Sequence, residues 1–284
     1  MKTRYTTVLT IAGSDSSGGA GIQADSKTFA ALECYGLSVI TVLTAQNTRG
    51  IAALYPVSDT FVADQFRSVV SDIPVDAIKI GMLGNAGIIK TVALLLRELQ
   101  GTPPVILDTI LASSGGTPLL AEKAIQLMKE ELFPLVSLIT PNLPETARLL
   151  GMRDFPVTQQ SIEEAAMKLH ENGATSVLVK GGHGEGENCR DCLLHDNRFF
   201  WFSSKKIMTD NSHGTGCTLS SAIAAFMARG EKMESAVEKA KAYLHDALLA
   251  GAAYRLGSGN GPLHHQCQQW KQGQTTPRGG RPME

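Results

Sequence analysis

Apolar and polar positions alternate along the chain between short apolar runs and longer amphipathic stretches. The short runs are Tyr5–Ala12, stopped by Gly13, then Leu37–Ala45, and Ala77–Ile80, stopped by Gly81. Pro104–Leu107, closed by Asp108, Val136–Thr140, closed by Pro141, and Ser176–Val179, closed by Lys180, follow. Continuous apolar runs bounded by turn residues suit strands buried on both faces. Between them, Ala24–Glu33, Asp59–Val70, Ile88–Leu99, Glu122–Leu132 and Ile162–Asn172 carry helical spacing, the last with Gly173 as its stop. Cys192–His195 and Phe199–Ser203 flank Asp196-Asn197 and predict a hairpin, and Thr218–Arg229 and Ser235–Ala250 predict two final helices. The expected fold is therefore α/β, a central, mostly parallel sheet with helices on both faces. Ligands bind such sheets at the carboxyl ends of the strands, and Asp108, Thr140–Asn142 and Lys180–Gly182 sit just past three of them.

Composition narrows this picture. The 284 residues fit one large domain, expected over residues 1–270. Gln272–Glu284 is rich in Gly, Pro and Thr without periodicity, so residues 271–284 are expected to be a disordered tail. A formal net charge of −1 gives no basic field for nucleic acid or an anionic membrane. No apolar run is long enough to span a bilayer, and Met1–Thr10 lacks the apolar core of a signal peptide. The five cysteines, odd in number and irregular in spacing, are expected to be reduced thiols in a cytoplasm.

Four motifs bear chemistry. Gly13-Ser-Asp-Ser-Ser-Gly-Gly-Ala-Gly21 follows the first strand. It has no Lys where a P-loop needs one, and the second strand ends in Thr44-Ala45-Gln46 without the acid of a dinucleotide fold. What remains is either a plain turn or a turn where backbone approaches a ligand closely. Asp25 beyond it is either a helix-dipole partner or a hydrogen-bond acceptor for a heterocycle. In the second motif, Asn211-Ser-His-Gly-Thr-Gly-Cys-Thr218, a glycine-rich turn feeds a small-residue, apolar helix. Free amides and the dipole at such a start make an anion site of Gly214, Thr215, Gly216 and Cys217. A thiol at that position is expected to have its pKa lowered from about 8.5 toward neutrality, so that Cys217 could take a proton from an alcohol. A cap with a structural cysteine is the plainer reading, and the paired glycines around Thr215 favour the functional one.

The third motif is Lys180-Gly-Gly-His183, where a Lys leaving an apolar strand can reach a phosphate. A surface Lys before a turn is the commoner pattern. The fourth, Asn142-x-x-Glu145, is by itself a helix cap, but Asp108 at a neighbouring strand end tips it toward Mg²⁺ held largely through water by Asp108 and Glu145. Cys189-x-x-Cys192 has metal-ligand spacing but no second pair, and packing explains it better. Gly259–His265 reads as a turn before a metal site, and Met82 either as core or as the wall of an apolar pocket.

Together with Ala45-Gln-Asn-Thr48, Lys79-Ile-Gly-Met-Leu83 and Thr140-Pro-Asn-Leu-Pro-Glu145, these motifs appear in an order that resembles the bifunctional hydroxymethylpyrimidine/phosphomethylpyrimidine kinases of thiamine biosynthesis, from about Thr7 to His265. The resemblance implies a ribokinase-like fold, typically a homodimer. It implies ATP-dependent phosphorylation of 4-amino-5-hydroxymethyl-2-methylpyrimidine and then of its monophosphate. Gly13, Asp25, Gln46 and Met82 would surround the pyrimidine, with the Gln46 amide bonding the ring. Asn142, Glu145 and Lys180 would serve ATP and its Mg²⁺. Gly214–Cys217 would form the anion hole, with Cys217 as base where most sugar kinases of the superfamily carry Asp. The tail after Trp270 and a shortened Gly257–Pro262 segment depart from the family pattern. A pyridoxal kinase of the same superfamily is the runner-up. A non-catalytic pyrimidine-binding protein on the same scaffold is a third reading, opposed by the intact Gly-Thr-Gly-Cys and Lys180.

Overall fold

The structure, a computed structural model, describes residues 3–113, 116–152, 157–182 and 186–267. The expected tail at 271–284 and His183 lie outside the described residues. The chain runs β1 (Thr7–Ala12), α1 (Gly21–Ala31), β2 (Tyr35–Ile40), β3 (Val42–Asn47), β4 (Gly50–Pro56) and α2 (Asp59–Val70). It continues through β5 (Ala77–Ile80), α3 (Ala86–Glu98), β6 (Val105–Leu107), α4 (Glu122–Leu132), β7 (Leu138–Ile139), α5 (Leu143–Leu149) and α6 (Gln159–Glu171). β8 (Val177–Val179), β9 (Asn188–His195), β10 (Arg198–Lys205), α7 (Thr215–Ala228) and α8 (Met233–Gly251) complete it.

Eight strands form one sheet in the order β10-β9-β8-β7-β6-β5-β1-β2, parallel from β8 to β2, with the β9–β10 hairpin antiparallel at one edge. The inner parallel strands feed both layers of core by simple alternation. Leu9, Ile11, Ile78, Ile80, Val105 and Leu107 pack under α2, α3, α4 and α6, whereas Val8, Ala77, Ile106 and Leu138 pack under α1, α7 and α8. This two-sided burial is why the strands read as unbroken apolar runs. The hairpin turn places Asp196 and Asn197 at φ of 48° and 57°, the left-handed geometry that Asn and Asp tolerate and that matches strand twist. No helix among the described residues is long and apolar enough to cross a membrane.

Two elements differ from expectation. The Leu37–Ala45 run is not one strand. It breaks at the fully buried Thr41, whose amide donates to Ala12 and whose hydroxyl donates to the Met82 carbonyl at 2.6 Å. Those bonds lie past the end of β2 and steer the chain out of the main sheet. Residues from Val42 onward then pair with β4, which alternation did not reveal, in a separate antiparallel hairpin. The second is α5, read as a capping or metal motif rather than as a helix of its own.

Candidate active site

At the start of α7, Gly214 is the N-cap at φ 88°, a region open to glycine at little cost, and a Cβ there would fall 1.9 Å from the Gly19 carbonyl oxygen. The two glycine-rich turns, almost 200 residues apart in sequence, are therefore in backbone contact. Within α7, Thr218 N–H bonds the Gly214 carbonyl and Thr215 N–H turns back to Ser212 O, while the Gly216 and Cys217 amides have no partner among the described residues. These are the orphan donors of a helix start, and with Thr215 and Gly216 half-buried they stay open to a ligand. α7 itself lies buried against α1, α8 and the sheet, a rigid mount for them.

Asp108, Lys180, Asn142 and Glu145 converge beside this turn. Lys180 Nζ donates to Asp108 Oδ1 at 2.8 Å, and Thr140 Oγ1 donates to the same oxygen at 3.1 Å. A Cβ on Gly216 would lie 3.3 Å from both Asp108 Oδ2 and Lys180 Nζ, so the pair faces the open amides. Burial would raise the Asp108 pKa, but the ammonium groups of Lys180 and Lys79 outweigh it and hold the carboxyl low. Burial disfavours the Lys180 cation, yet Asp108 and Glu145 hold its pKa above the ordinary range. Asn142 and Glu145 form a complete capping box for α5, with Glu145 N donating to Asn142 Oδ1 and Asn142 N donating to Glu145 Oε2, each at 2.8 Å. They are structural caps whatever else they do. Burial, against the opposing pull of Lys180, pushes the Glu145 carboxyl up to about 7.

Around the first turn, Met82 packs over Gly13. Gln46 Nε2 lies 3.1 Å from His213 Nε2, which is in turn 2.9 Å from Asp15 Oδ2. Asp15 also accepts the Gly19 and Ala20 amides. Burial alone would raise its pKa, but the bonds from His213, Ser17 and Ala20 hold the carboxyl far below the usual range. Gly13, Gln46, Met82 and the Gly214–Cys217 turn thus surround one region.

Two expectations are corrected. Both carboxylate oxygens of Asp25 are already engaged by protein partners, so it does not offer them to a ligand there. It is fully buried in the second turn of α1, and its carboxylate is consumed by Lys79 Nζ (2.9 Å to each oxygen), Thr10 Oγ1 (2.6 Å) and Ser221 Oγ (2.7 Å). Nor is the Cys217 thiol acidified. Burial pushes its pKa up to about 11, although the Lys79 cation and a bond from the Gly21 amide oppose the rise. Being 7% exposed at the helix start, the sulfur loses more by desolvation than the positive surroundings return. Asp15, His213 and Lys79 lie within the motifs, and their partners come from segments distant in sequence. The available signal for Lys79 was a lone charge in the otherwise apolar strand Ala-Ile-Lys-Ile.

No group of three or more metal-binding side chains occurs among the described residues, Cys189-x-x-Cys192 and Gly259–His265 included. Asp108 Oδ2 and Glu145 offer two hard oxygens, which fits Mg²⁺ completed by phosphate and water. A cavity of about 850 Å³ opens at the amino ends of the parallel strands between Pro103, Val136, Ser176 and Met233, remote from these residues.

A mostly parallel sheet carrying a glycine-turn anion cradle and a facing Lys–Asp pair defines a small-molecule phosphotransferase of the ribokinase-like class. A model of the family described as phosphomethylpyrimidine kinase matches residues 15–264, and the chain belongs to that family. It is 47% identical over 264 residues to the hydroxymethylpyrimidine/phosphomethylpyrimidine kinase of Escherichia coli, covering 92% of this chain and 98% of that one. It is 46% identical to the thiamine biosynthesis bifunctional protein ThiED of Geobacter sulfurreducens over 91% of its own length, and spans about half (52%) of that longer protein. Among solved structures it is similar to the pyridoxal kinase of Bacillus subtilis in complex with ADP, with a TM-score of 0.84 and 34% identity over 94% of this chain and all of that one.

The raised Glu145 pKa means that the folded chain holds this proton up to about 7 while the unfolded chain releases it near 4.5. Stability from this group therefore falls as pH rises through that window. Unfolding midpoints of wild type and Glu145→Gln, measured from pH 4 to 8, should diverge accordingly, with the variant gaining relative to wild type toward pH 8. The difference separates Glu145 from His265, whose pKa burial lowers to about 4 and which acts in the opposite sense.

Proposed function

We propose that the chain transfers the γ-phosphate of ATP to 4-amino-5-hydroxymethyl-2-methylpyrimidine and then phosphorylates the monophosphate to the diphosphate, in thiamine biosynthesis. The observation that carries the reading is the contact between the two glycine turns, which sets the open Gly216 and Cys217 amides beside Gly13, Gln46 and Met82 on one side and Lys180–Asp108 on the other. Phosphoryl transfer asks little covalent chemistry of a protein and much positioning and charge neutralisation. The Gly216 and Cys217 amides receive the transferring phosphoryl oxygens, and Lys180, held by Asp108, supplies the mobile positive charge. Met82 and the Gly13 backbone bracket the ring, and the Gln46 amide donates to and accepts from its polar edge. Asn142 and Glu145 border the ATP side. Asp108 and Glu145 would hold Mg²⁺ through water, where the ion supplies neutralisation of phosphate charge.

Cys217 accepts the proton of the primary alcohol. With a pKa near 11 only a small fraction is thiolate at neutral pH, but that fraction is strongly basic. Turnover should therefore climb with pH through the mildly alkaline range. One kinase domain, residues 1–270, carries the reaction. None of the five cysteines is in a disulfide, which suits a reducing cytoplasm. The β3–β4 hairpin exposes Leu43 opposite Tyr55, 45% and 71% exposed, on one face outside the main sheet, which suits a homodimer joined through this hairpin. Likeness to a pyridoxal kinase supports pyridoxal as a second substrate.

ADP release in the presence of ATP, with the pyrimidine alcohol and pyridoxal in parallel, tests the assignment. Faster turnover of the pyrimidine and appearance of its diphosphate are expected, and preference for pyridoxal would refute it. Cys217→Ala should lower kcat by about 10² to 10⁴ and lose the alkaline rise while KM changes little. Leu43→Asp should convert a dimer to a monomer in sedimentation velocity, and an unchanged mass would remove the hairpin from the interface.

A further inference from the structure

The Lys79–Asp25 pair is the most deeply buried charge in the described residues that the proposed chemistry leaves unused. Both side chains are 0% exposed. Taking two charges out of water is costly, and replacement by apolar residues is often neutral or stabilising, so a pair of this kind is weak evidence of a role in stability. Its location is more informative. Lys79 of β5 is in register with Thr10 of β1, and both project toward α1 and α7. Thr10 donates to Asp25 Oδ2, and Ser221 of α7 donates to Asp25 Oδ1. Ser221 is four residues beyond Cys217, on the same helix face, so the pair lies one turn beneath the thiol. Lys79 Nζ also presses against the floor of the site. A Cβ on Gly81 would fall 2.8 Å from it, so the strand end is open to the ammonium through the lack of a side chain there.

We propose that Lys79, held by Asp25, is a positioning residue for Cys217, a fixed buried cation under the start of α7 that favours the thiolate and orients the helix bearing it. The proposal rests on the proton-accepting role given to Cys217. The groups that act on the thiol are the charges of Lys79 from β5, Asp25 from α1, Asp108 beyond β6 and Lys180 beyond β8, and a bond from the Gly21 amide. Among them Lys79 is the strongest influence toward the thiolate, and Asp25 opposes it. The two partners thus act on Cys217 with opposite sign, which separates electrostatic positioning from packing. Loss of either partner loosens the same fold, but only a charge effect moves the thiol in two directions.

The test is the rate at which iodoacetamide alkylates Cys217 at one mildly alkaline pH, read by peptide mass spectrometry in wild type, Lys79→Met and Asp25→Asn. Below its pKa a thiol reacts in proportion to its thiolate fraction, so a shift of about one unit alters the rate about tenfold. Lys79→Met should be about tenfold slower than wild type and Asp25→Asn faster, with Lys79→Met also losing kcat at nearly unchanged KM. Asp25→Asn preserves shape, so it carries the test alone if Lys79→Met does not fold. Equal rates, or changes of the same sign in both variants, would overturn the proposal. The alkylation result stands apart from the turnover of Cys217→Ala, which tests the proton-accepting role separately.

Discussion

The approach of two backbones is the constraint on which the site depends. Gly214 sits so close to the Gly19 carbonyl that no side chain fits between them. Were the gap wider, the orphan amides of α7 would face solvent on one side and the first turn would have nothing to close against. Because α7 is rich in small residues and buried on several faces, the contact is not free to relax. A rigid dipole end is thereby placed where the strand ends deliver Lys180 and Asp108.

Burial sets the electrostatics more than sequence neighbours do. Cys217, Glu145 and His265 are each shifted toward their neutral forms by desolvation, whereas Asp15, Asp108 and Lys180 keep their charge because specific partners outweigh it. Charged and neutral groups are thus sorted at short range. Asp108 and Lys180 stand ionised beside the start of α7, whereas the Glu145 carboxyl and the Cys217 thiol near them are shifted toward their neutral forms. Such sorting suits a transferase, since acid and base roles need groups whose pKa values are pushed apart.

The polar network around Asp15, His213 and Gln46 plays a different part. Asp15 satisfies the Ser17, Gly19 and Ala20 amides of its own turn and still reaches His213 across to the second one. The same histidine meets Gln46 from the β3–β4 hairpin. Three segments far apart in sequence are stitched by one carboxylate and one imidazole, so the relative placement of the two glycine turns and the hairpin is held by hydrogen bonds as well as by apolar packing.

Much of this was legible in the residues themselves. Alternation of apolar runs with amphipathic stretches determined the parallel sheet, because strands covered on both faces must be apolar throughout. Gly13, Asp108, Asn142, Lys180 and Gly214 declared themselves by standing where strands end and helices begin. The tertiary structure decided what depends on distant partners. It turned the Leu37–Ala45 run out of the sheet through bonds from Thr41, engaged the Asp25 carboxylate by giving it Lys79, and raised the Cys217 pKa where the helix start alone implied a fall. Local sequence specifies which groups a segment offers, while desolvation and charge at a point are sums over whatever the fold packs around it.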